Sequence, residues 1–340
     1  MKIAWYELAM FVFAIGLLSF KNDNRITLKE FKVSGFAQGT TYHITYYAEN
    51  NLVVNKQIDS ILDKIDSSLS IYKSYSLISK FNDADVSVEM DEHLSNVVNL
   101  SLEIYKATKG VSDITVYPLK NLWGFGPQHS SEKPDSSGIS SLMPCIGSKK
   151  IHVRGNRLVK DIHCVKIDVN GIAQKYSVDV VAGFLEKKGI QNYIVEIGGE
   201  LRIRGHKQPG NTIMKIRIES PAVNSFEDPI IKTIIQLDHG AITTSGNYRK
   251  YIEKEGKVYS HLMDSKTGYP FQNELISVTV YAENAITADG YDNALMGMGL
   301  KKGLLFMKKH KEMEAYFIYH NSAGTVSDTA SAGFYKMIKN

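Results

Sequence analysis

The chain has 340 residues, 43% hydrophobic and 22% charged, an ordinary composition for a globular protein with a substantial core. Its formal net charge is only +4 and its lysines and acidic residues are interspersed, which excludes a basic stripe for nucleic acid. Two cysteines, Cys145 and Cys164, are too few for a disulfide framework or a zinc site, and both a single disulfide and two buried thiols stay open.

The N-terminus resembles an export signal. After Lys2, an apolar stretch runs from Leu8 to Phe20, shorter than the roughly 20 residues of a membrane-spanning helix. No cysteine follows it, so a lipid anchor is not expected. We expect residues 1–21 to form a signal peptide or an N-terminal membrane anchor, with residues 22–340 outside the cytoplasm. A buried N-terminal helix is the alternative.

Hydrophobic periodicity and turn residues predict the elements that follow. In chain order they are strands 27–37 and 40–48, helices 54–69 and 94–108, a hairpin of 151–154 and 158–160, helix 173–188, strands 193–197, 201–205, 215–219, 230–237 and 274–283, helices 285–300 and 303–309, and strand 314–320. Residues 70–82 and 127–144 are expected to be irregular. This order predicts an α+β fold with mixed or antiparallel sheets in a single large domain. The usual dinucleotide and Walker fingerprints do not occur in the sequence.

Three oxygen-bearing residues of helix 285–300 form a candidate metal site. Asp289, Asp292 and Asn293 are spaced i, i+3 and i+4, so their side chains share one face. Such a set suits Mg²⁺, which prefers oxygen ligands. Gly290 removes a side chain there, where a ligand could approach the backbone. The alternative is an exposed acidic turn that favours the helix dipole.

A polar turn at 168–179 leads into a second helix. Free N–H groups at that helix start could hold an anion, and Gly171 would let a ligand reach the main chain. An ordinary turn and helix cap is the alternative.

Aromatic residues and one histidine complete the candidates. Residues 112–126 form either a wall for a flat ring or a hydrophobic loop around a packed Trp123. Tyr72 either stacks on a ring or covers the core. His261, three residues before Asp264, either accepts a proton from a hydroxyl group or is structural.

The residues of these segments and their order along the chain resemble those of the ApbE family. The matching segments are 39–42, 70–72, 79–82, 113–115, 118–126, 168–176, 197–200, 244–246, 260–268 and 288–289. The resemblance covers roughly residues 33–335, nearly everything beyond the leader.

The resemblance implies a FAD:protein FMN transferase with an ApbE-type, T-fold-like domain. Such enzymes use Mg²⁺ to cleave the pyrophosphate of FAD, attach FMN by a phosphoester bond to a Thr or Ser of a target protein, and release AMP. The implied targets are flavin carriers such as membrane redox-complex subunits, and the implied location is the periplasmic side of the inner membrane. A Mg²⁺-dependent FAD pyrophosphatase, giving FMN and AMP, and a non-catalytic FAD-binding protein are the alternatives.

The resemblance also implies residue roles. His261 would accept the proton of the attacking hydroxyl group, and Tyr72 would stack on the isoalloxazine ring. Asp289 and Asn293 would contact the metal with Asp292 beside them, and Gly171 would offer its carbonyl oxygen. The residues expected to line the FAD site are Gln38, Asp113, Ile114, Thr115, Asp168, Gln174 and Met263.

Several positions depart from the pattern of many members, including Gln38 in place of methionine and Ser265 in place of proline. Many relatives have Lys-Gly where this chain has Gln174-Lys175, so one cationic contact to FAD is lost or shifted by one residue. Asn293 replaces the threonine that many members place at the metal, and it keeps an oxygen but no hydroxyl group.

Overall fold

An eight-stranded antiparallel sheet organises the computed structural model, which describes residues 27–127, 134–220, 230–247, 251–254 and 257–339. The strands are β1 Lys29–Ala37, β2 Thr40–Ala48, β3 Ser87–Glu89, β4 Ile151–Arg154, β5 Arg157–Lys160, β6 Asn192–Ile197, β7 Glu200–Arg204, β8 Met214–Ser220, β9 Ile230–Leu237, β10 His239–Gly246, β11 Tyr251–Lys254, β12 Lys257–Ser260, β13 Leu275–Ala282, β14 Glu314–His320 and β15 Val326–Ala330. The central sheet has the order β1-β2-β6-β7-β10-β13-β14-β15, and β3-β5-β4, β8-β9 and β11-β12 form small separate sheets.

Most helices pack on one face of the central sheet, whereas the last one, with Phe334, packs with the β8–β9 hairpin on the other face. The helices are α1 Asn55–Leu69, α2 Leu77–Asp83, α3 Glu92–Ala107, α4 Tyr117–Trp123, α5 Ser136–Leu142, α6 Asn170–Lys187, α7 Ala285–Met298, α8 Leu300–Met307 and α9 Ala332–Met337. Alternate residues of β2, such as Tyr42 and Ile44, face the α1–α6 core, whereas Tyr47 faces the opposite side and the β8–β9 hairpin. Farther along the sheet, α7 and α8 pack on β13 and β14. Strand alternation therefore separates a helical layer from a hairpin layer.

Two segments expected to be irregular contain helices. In 70–82, Ser76 accepts a hydrogen bond from the Ser79 N–H and starts α2. In 127–144, Asp135 accepts one from the Gly138 N–H and starts α5, while residues 128–133 lie outside the described part. Ser and Asp are frequent in loops, but here they act as N-caps.

The helix expected at 285–300 ends earlier. Gly299 has a φ of 75°, a left-handed value that a helix does not continue through, and α8 starts directly after it. Most other expected elements are present with shifted ends. The strands β3, β10, β11, β12 and β15 and the helices α4 and α9 were not expected from the sequence.

Cys145 and Cys164 form a disulfide bond, with their Cα atoms 5.4 Å apart. It links the segment after α5 to the segment after β5, and it settles the alternative that the sequence left open. The expected leader, residues 1–21, lies outside the described residues. Within the described ranges, we find no helix that is long and apolar enough to cross a membrane.

Candidate active site

Two buried carboxylates lie near the start of α7. Asp289 and Asp292 are 1% and 0% exposed, so the alternative of an exposed acidic turn does not hold. The helix begins just before them because the Asn284 side chain accepts a hydrogen bond from the Thr287 N–H (3.0 Å). The Asp179 carboxylate of α6 accepts bonds from the first two N–H groups of α7 (2.9 and 2.8 Å). The spacing of the carboxylates then turns both to one buried face.

Most oxygens of this pair lack a hydrogen bond within the described part of the chain. Asp289 Oδ2, both carboxylate oxygens of Asp292 and the Thr243 hydroxyl group are buried without a partner. Burial raises the pKa of Asp292 well above its usual value, and the Asp289 carboxylate raises it further. Burial also raises the pKa of Asp289, against the opposing effect of Lys175. Because an unpaired buried carboxylate is costly, these oxygens mark a place for a cation or a proton.

Lys175 of α6 reaches the same cluster. Its Nζ lies 2.8 Å from Asp289 Oδ1 and 3.5 Å from Glu200 Oε1. Burial acts to lower the pKa of Lys175, but Asp289, Glu200 and Asp292 outweigh it, and the pKa lies above its usual value. The Thr244 N–H donates to Glu200 Oε2 (3.2 Å). One ammonium group and three carboxylates therefore join α6, β7 and α7.

Gly171 and Asn293 approach each other between α6 and α7. A Cβ atom added to Gly171 would meet only Asn293 Nδ2, at 3.9 Å, outside its own helix. The main chain at the start of α6 is therefore accessible to a ligand. Asn293 Oδ1 accepts a hydrogen bond from the Ser245 hydroxyl group (3.1 Å), and Nδ2 donates to the Asp289 carbonyl (3.1 Å). The structure thus places the sequence-predicted metal residues together.

Gly290 has a different role from the one expected. A Cβ atom there would lie 2.1 Å from Ile104 Cδ1 of α3. The expectation that Gly290 admits a ligand is therefore wrong, because it provides the close approach of α3 to α7 instead.

A second charged group surrounds Asp168, just before α6. Its Oδ2 lies 2.8 Å from Lys120 Nζ, and its Oδ1 accepts a hydrogen bond from the Asn170 N–H (2.8 Å). Burial acts to raise the pKa of Asp168, but Lys120 and, more weakly, His261 outweigh it and hold the pKa below its usual value. His261 is half-buried and meets Phe125 edge-on, with ring centres 6.4 Å apart. The candidate base is therefore close enough to Asp168 to influence its charge.

Tyr72 and Lys120 connect this group to its surroundings. Tyr72 is 64% exposed, so its ring is free to stack on a ligand. Partial burial and the neighbouring Asp168 carboxylate raise the pKa of its hydroxyl group. Lys120 also acts on Asp289, where it opposes the rise in pKa. The His261–Asp168 group and the α7 carboxylates therefore share one electrostatic environment.

The segment at 113–115 packs against Asp168, whose N–H donates to the Ile114 carbonyl (2.8 Å). The Asp113 carboxylate accepts bonds from the Thr115 N–H (2.9 Å) and hydroxyl group (2.6 Å), and from the Ser148 hydroxyl group (2.7 Å). Asp113 therefore shapes its own loop, and this loop borders the candidate site.

The two predicted glutamines lie along α6. Gln38, at a φ of 54° in the β1–β2 turn, donates to Ser177 Oγ (2.9 Å) and Asp66 Oδ1 (3.2 Å). Gln174 lies against the turn between β6 and β7, where a Cβ atom on Gly198 would be 2.5 Å from Gln174 Nε2. The turn at Gly198 therefore leaves room for Gln174.

Trp123 is packed in the interior, in agreement with the hypothesis that residues 112–126 form a hydrophobic loop around it. It is fully buried, and its Nε1 donates to the Gly268 carbonyl (3.0 Å). Met263 belongs to the same hydrophobic cluster and is 5% exposed. Its contact with FAD stays a prediction.

Four residues of this environment were missing from the site expected from the sequence. They are Lys120, Lys175, Glu200 and Thr243. A signal existed for Lys175, which follows Gly171 by four positions and so shares its helix face. No comparable local spacing connects the other three to the carboxylates.

The oxygen atoms of this cluster could hold a hard cation such as Mg²⁺. Asp289 and Asp292 supply unpartnered buried oxygens, and Asn293 and the open main chain at Gly171 supply neutral ones. Among the described residues, we find no group of three or more His, Cys, Asp or Glu side chains arranged to hold a metal. Mg²⁺ usually keeps several waters and substrate phosphate in its shell, so it needs few protein ligands.

Comparisons with known proteins extend over most of the chain. A model of the ApbE family matches residues 38–317. The FAD:protein FMN transferase of Vibrio cholerae serotype O1 is 37% identical over 279 residues, covering 80% of this chain and 82% of that protein. The Haemophilus influenzae protein of the same name is 34% identical over 317 residues, covering 89% and 90%.

Solved structures agree with the fold. The flavin transferase ApbE from Vibrio cholerae matches with a TM-score of 0.82 at 32% identity, over 91% of this chain and 99% of that one. The apo form of the Pseudomonas stutzeri flavinyl transferase ApbE gives 0.81 at 32% identity, over 92% and 97%. The expected α+β single-domain fold is confirmed.

Proposed function

This chain belongs to the ApbE family, and from that membership we propose that it is a Mg²⁺-dependent transferase that moves FMN from FAD to a protein hydroxyl group. The relatives named above carry the name FAD:protein FMN transferase, which supports the donor and the group transferred.

One observation carries the metal dependence. Asp289 and Asp292 are completely buried, and three of their four oxygens have no hydrogen-bond partner. A packing core gains nothing from such a pair, whereas a divalent ion would pair with them. Bound there, Mg²⁺ would neutralise charge on the FAD diphosphate and make it a better electrophile.

The chain's own residues would carry out the rest of the reaction. The hydroxyl oxygen of a target Thr or Ser attacks the phosphorus of the FMN half of FAD. A new P–O bond forms, the P–O bond to the AMP half breaks, and AMP leaves. His261 would accept the hydroxyl proton, and the Asp168 carboxylate, whose pKa His261 lowers, would stabilise the resulting imidazolium through their electrostatic interaction.

The remaining predicted residues would hold FAD. Tyr72 is exposed beside Asp168 and offers a stacking surface for the isoalloxazine ring. The 113–115 loop, Gln38 and Gln174 border the same end of α6 and would orient the rest of the molecule.

We further propose that the protein acts outside the cytoplasm, on flavin-carrier proteins at the periplasmic side of the inner membrane. The apolar stretch from Leu8 to Phe20 supports export. The Cys145–Cys164 disulfide adds support, because such bonds persist mainly in oxidising compartments.

A carrier assay tests the transferase. The purified protein is incubated with FAD, Mg²⁺ and a flavin-carrier domain, and the carrier mass, free FMN and AMP are measured. We expect the carrier to gain one FMN as AMP appears, and the variant Asp289→Ala to lose roughly 10²-fold or more of this rate. Free FMN without carrier modification would instead identify a FAD pyrophosphatase, and intact FAD with no AMP a binding protein.

A further inference from the structure

We propose that Lys175 is a positioning residue that sets the charge of the metal site, so that the site matches one divalent cation. This inference rests on the proposed Mg²⁺ site, and it concerns a lysine whose side chain is only 13% exposed and that the reaction steps above do not use.

The ammonium group of Lys175 contacts two carboxylates and leaves the other carboxylate oxygens of the metal site unpaired. Lys175 Nζ lies 2.8 Å from Asp289 Oδ1 and 3.5 Å from Glu200 Oε1. Asp289 Oδ2 and both oxygens of Asp292 stay without a hydrogen bond. One carboxylate oxygen of Asp289 is therefore paired with Lys175, and the other is available to an ion.

The surroundings prevent the ammonium group from escaping to water. The Lys175 side chain is 13% exposed, and those of Asp289 and Glu200 are 1% and 5% exposed. The Thr244 N–H holds the far oxygen of Glu200 at 3.2 Å. Lys175 is thus fixed from two sides by groups on β7 and α7.

The summed formal charge of these four side chains then equals that of a divalent cation in magnitude and is opposite in sign. With an ion bound, and with Asp289, Asp292 and Glu200 ionised and Lys175 protonated, the four side chains carry three negative charges and one positive charge, a sum of −2. Without Lys175 the sum would be −3, which would favour a trivalent over a divalent ion. With Glu200 neutral it would be −1, which would weaken the binding of both.

Metal-binding experiments without FAD separate this inference from the proposed function. The purified full-length chain and three variants are titrated with Mg²⁺ alone and with Tb³⁺ alone by calorimetry, and circular dichroism verifies folding. Lys175→Met removes the charge at similar length, and Glu200→Gln changes the charge in the opposite sense. Lys187→Met is the matched control, since Lys187 is exposed at the far end of the same helix.

We expect Mg²⁺ affinity to rise in the order Glu200→Gln, wild type, Lys175→Met, with Lys187→Met equal to wild type. A unit charge about 6 Å from a divalent ion changes its binding roughly tenfold even with water-like screening, and that of a trivalent ion by about 30-fold. The preference for Tb³⁺ over Mg²⁺ should therefore increase about threefold in Lys175→Met.

Damage to the fold would lower affinity in both variants, so weaker binding in Lys175→Met would overturn the inference. Unchanged metal binding in that variant would do the same, since it would assign Lys175 to another ligand. If Lys175→Met does not fold, unchanged or tighter Mg²⁺ binding in Glu200→Gln refutes the inference alone. If wild type binds no Mg²⁺, the proposed function itself fails.

Discussion

The substitution Asp292→Asn should stabilise the metal-free protein and weaken its response to Mg²⁺. The carboxylate of Asp292 is fully buried, and neither of its oxygens has a hydrogen-bond partner. The amide of asparagine has the same shape and carries no charge, so it avoids both the burial of a charge and the repulsion by Asp289 that raise the pKa of Asp292. Leaving a buried polar group unpaired costs about 1–3 kcal/mol, and a charged group costs more, so the variant should gain at least about 1 kcal/mol without metal.

The raised pKa of Asp292 determines how the stability gain of Asp292→Asn changes with pH. Burial and the Asp289 carboxylate raise the folded-state pKa of Asp292 well above its ordinary 3.8. A group with a raised folded-state pKa contributes its full stability below the ordinary value, and that stability is lost as the pH rises through the raised value. The advantage of Asp292→Asn should therefore be absent near pH 3.8 and grow towards neutral pH.

Thermal unfolding in EDTA across this pH range measures the effect. At neutral pH we expect the variant to melt about 2 °C or more above wild type, and we expect added Mg²⁺ to raise the melting temperature of wild type far more. If the variant instead melts lower in EDTA and keeps the full Mg²⁺ response, Asp292 is a structural residue and the account of the cluster is wrong.

Four further variants test separate parts of the structure. His261→Ala should abolish transfer to a carrier domain yet keep FAD binding, and wild-type turnover would exclude it as the base. Replacing Cys145 and Cys164 by serine should cost about 3 kcal/mol of stability in urea unfolding, from a loop with a sequence separation of 19, and an unchanged midpoint would contradict this. Gly290→Ala should destabilise by about 1–3 kcal/mol because its Cβ clashes with α3. Gly171→Ala should fold normally but bind Mg²⁺ more weakly, and equal stability of both glycine variants would refute the distinction.

The sequence predicted those parts of the fold that depend on local periodicity. The β1–β2 hairpin, the helix at α1 and the closing strand β14 appear with small changes at their ends. Strand β10 was not expected, because its sequence, His239–Gly246, is rich in small and polar residues and alternates weakly. Its strand character comes from pairing with β7 and β13 on both sides, and no local pattern contains that information.

In the candidate site, too, the sequence predicts what depends on local spacing and misses what depends on contacts between distant segments. Helical spacing places Asp289, Asp292 and Asn293 on one face, and the structure has them there. Their burial, however, depends on the packing of α7 against elements far away in the chain, such as α6 and β10. Lys175 and Glu200 enter through pairings between elements far apart in the chain. The sequence alone therefore locates the carboxylates but not Lys175, whose positive charge pairs with Asp289.

The metal face is also held in place by contacts that need no metal. Asp179 of α6 accepts bonds from the first N–H groups of α7 and pairs with Arg202 at 2.8 Å. Lys175, one helical turn earlier on α6, holds Asp289. One ion pair and two hydrogen bonds to the Asp179 carboxylate therefore fix α7 against α6. Because the helices cannot drift apart, the cost of bringing the ligands together is met during folding, and the unpaired oxygens keep their positions before any ion arrives.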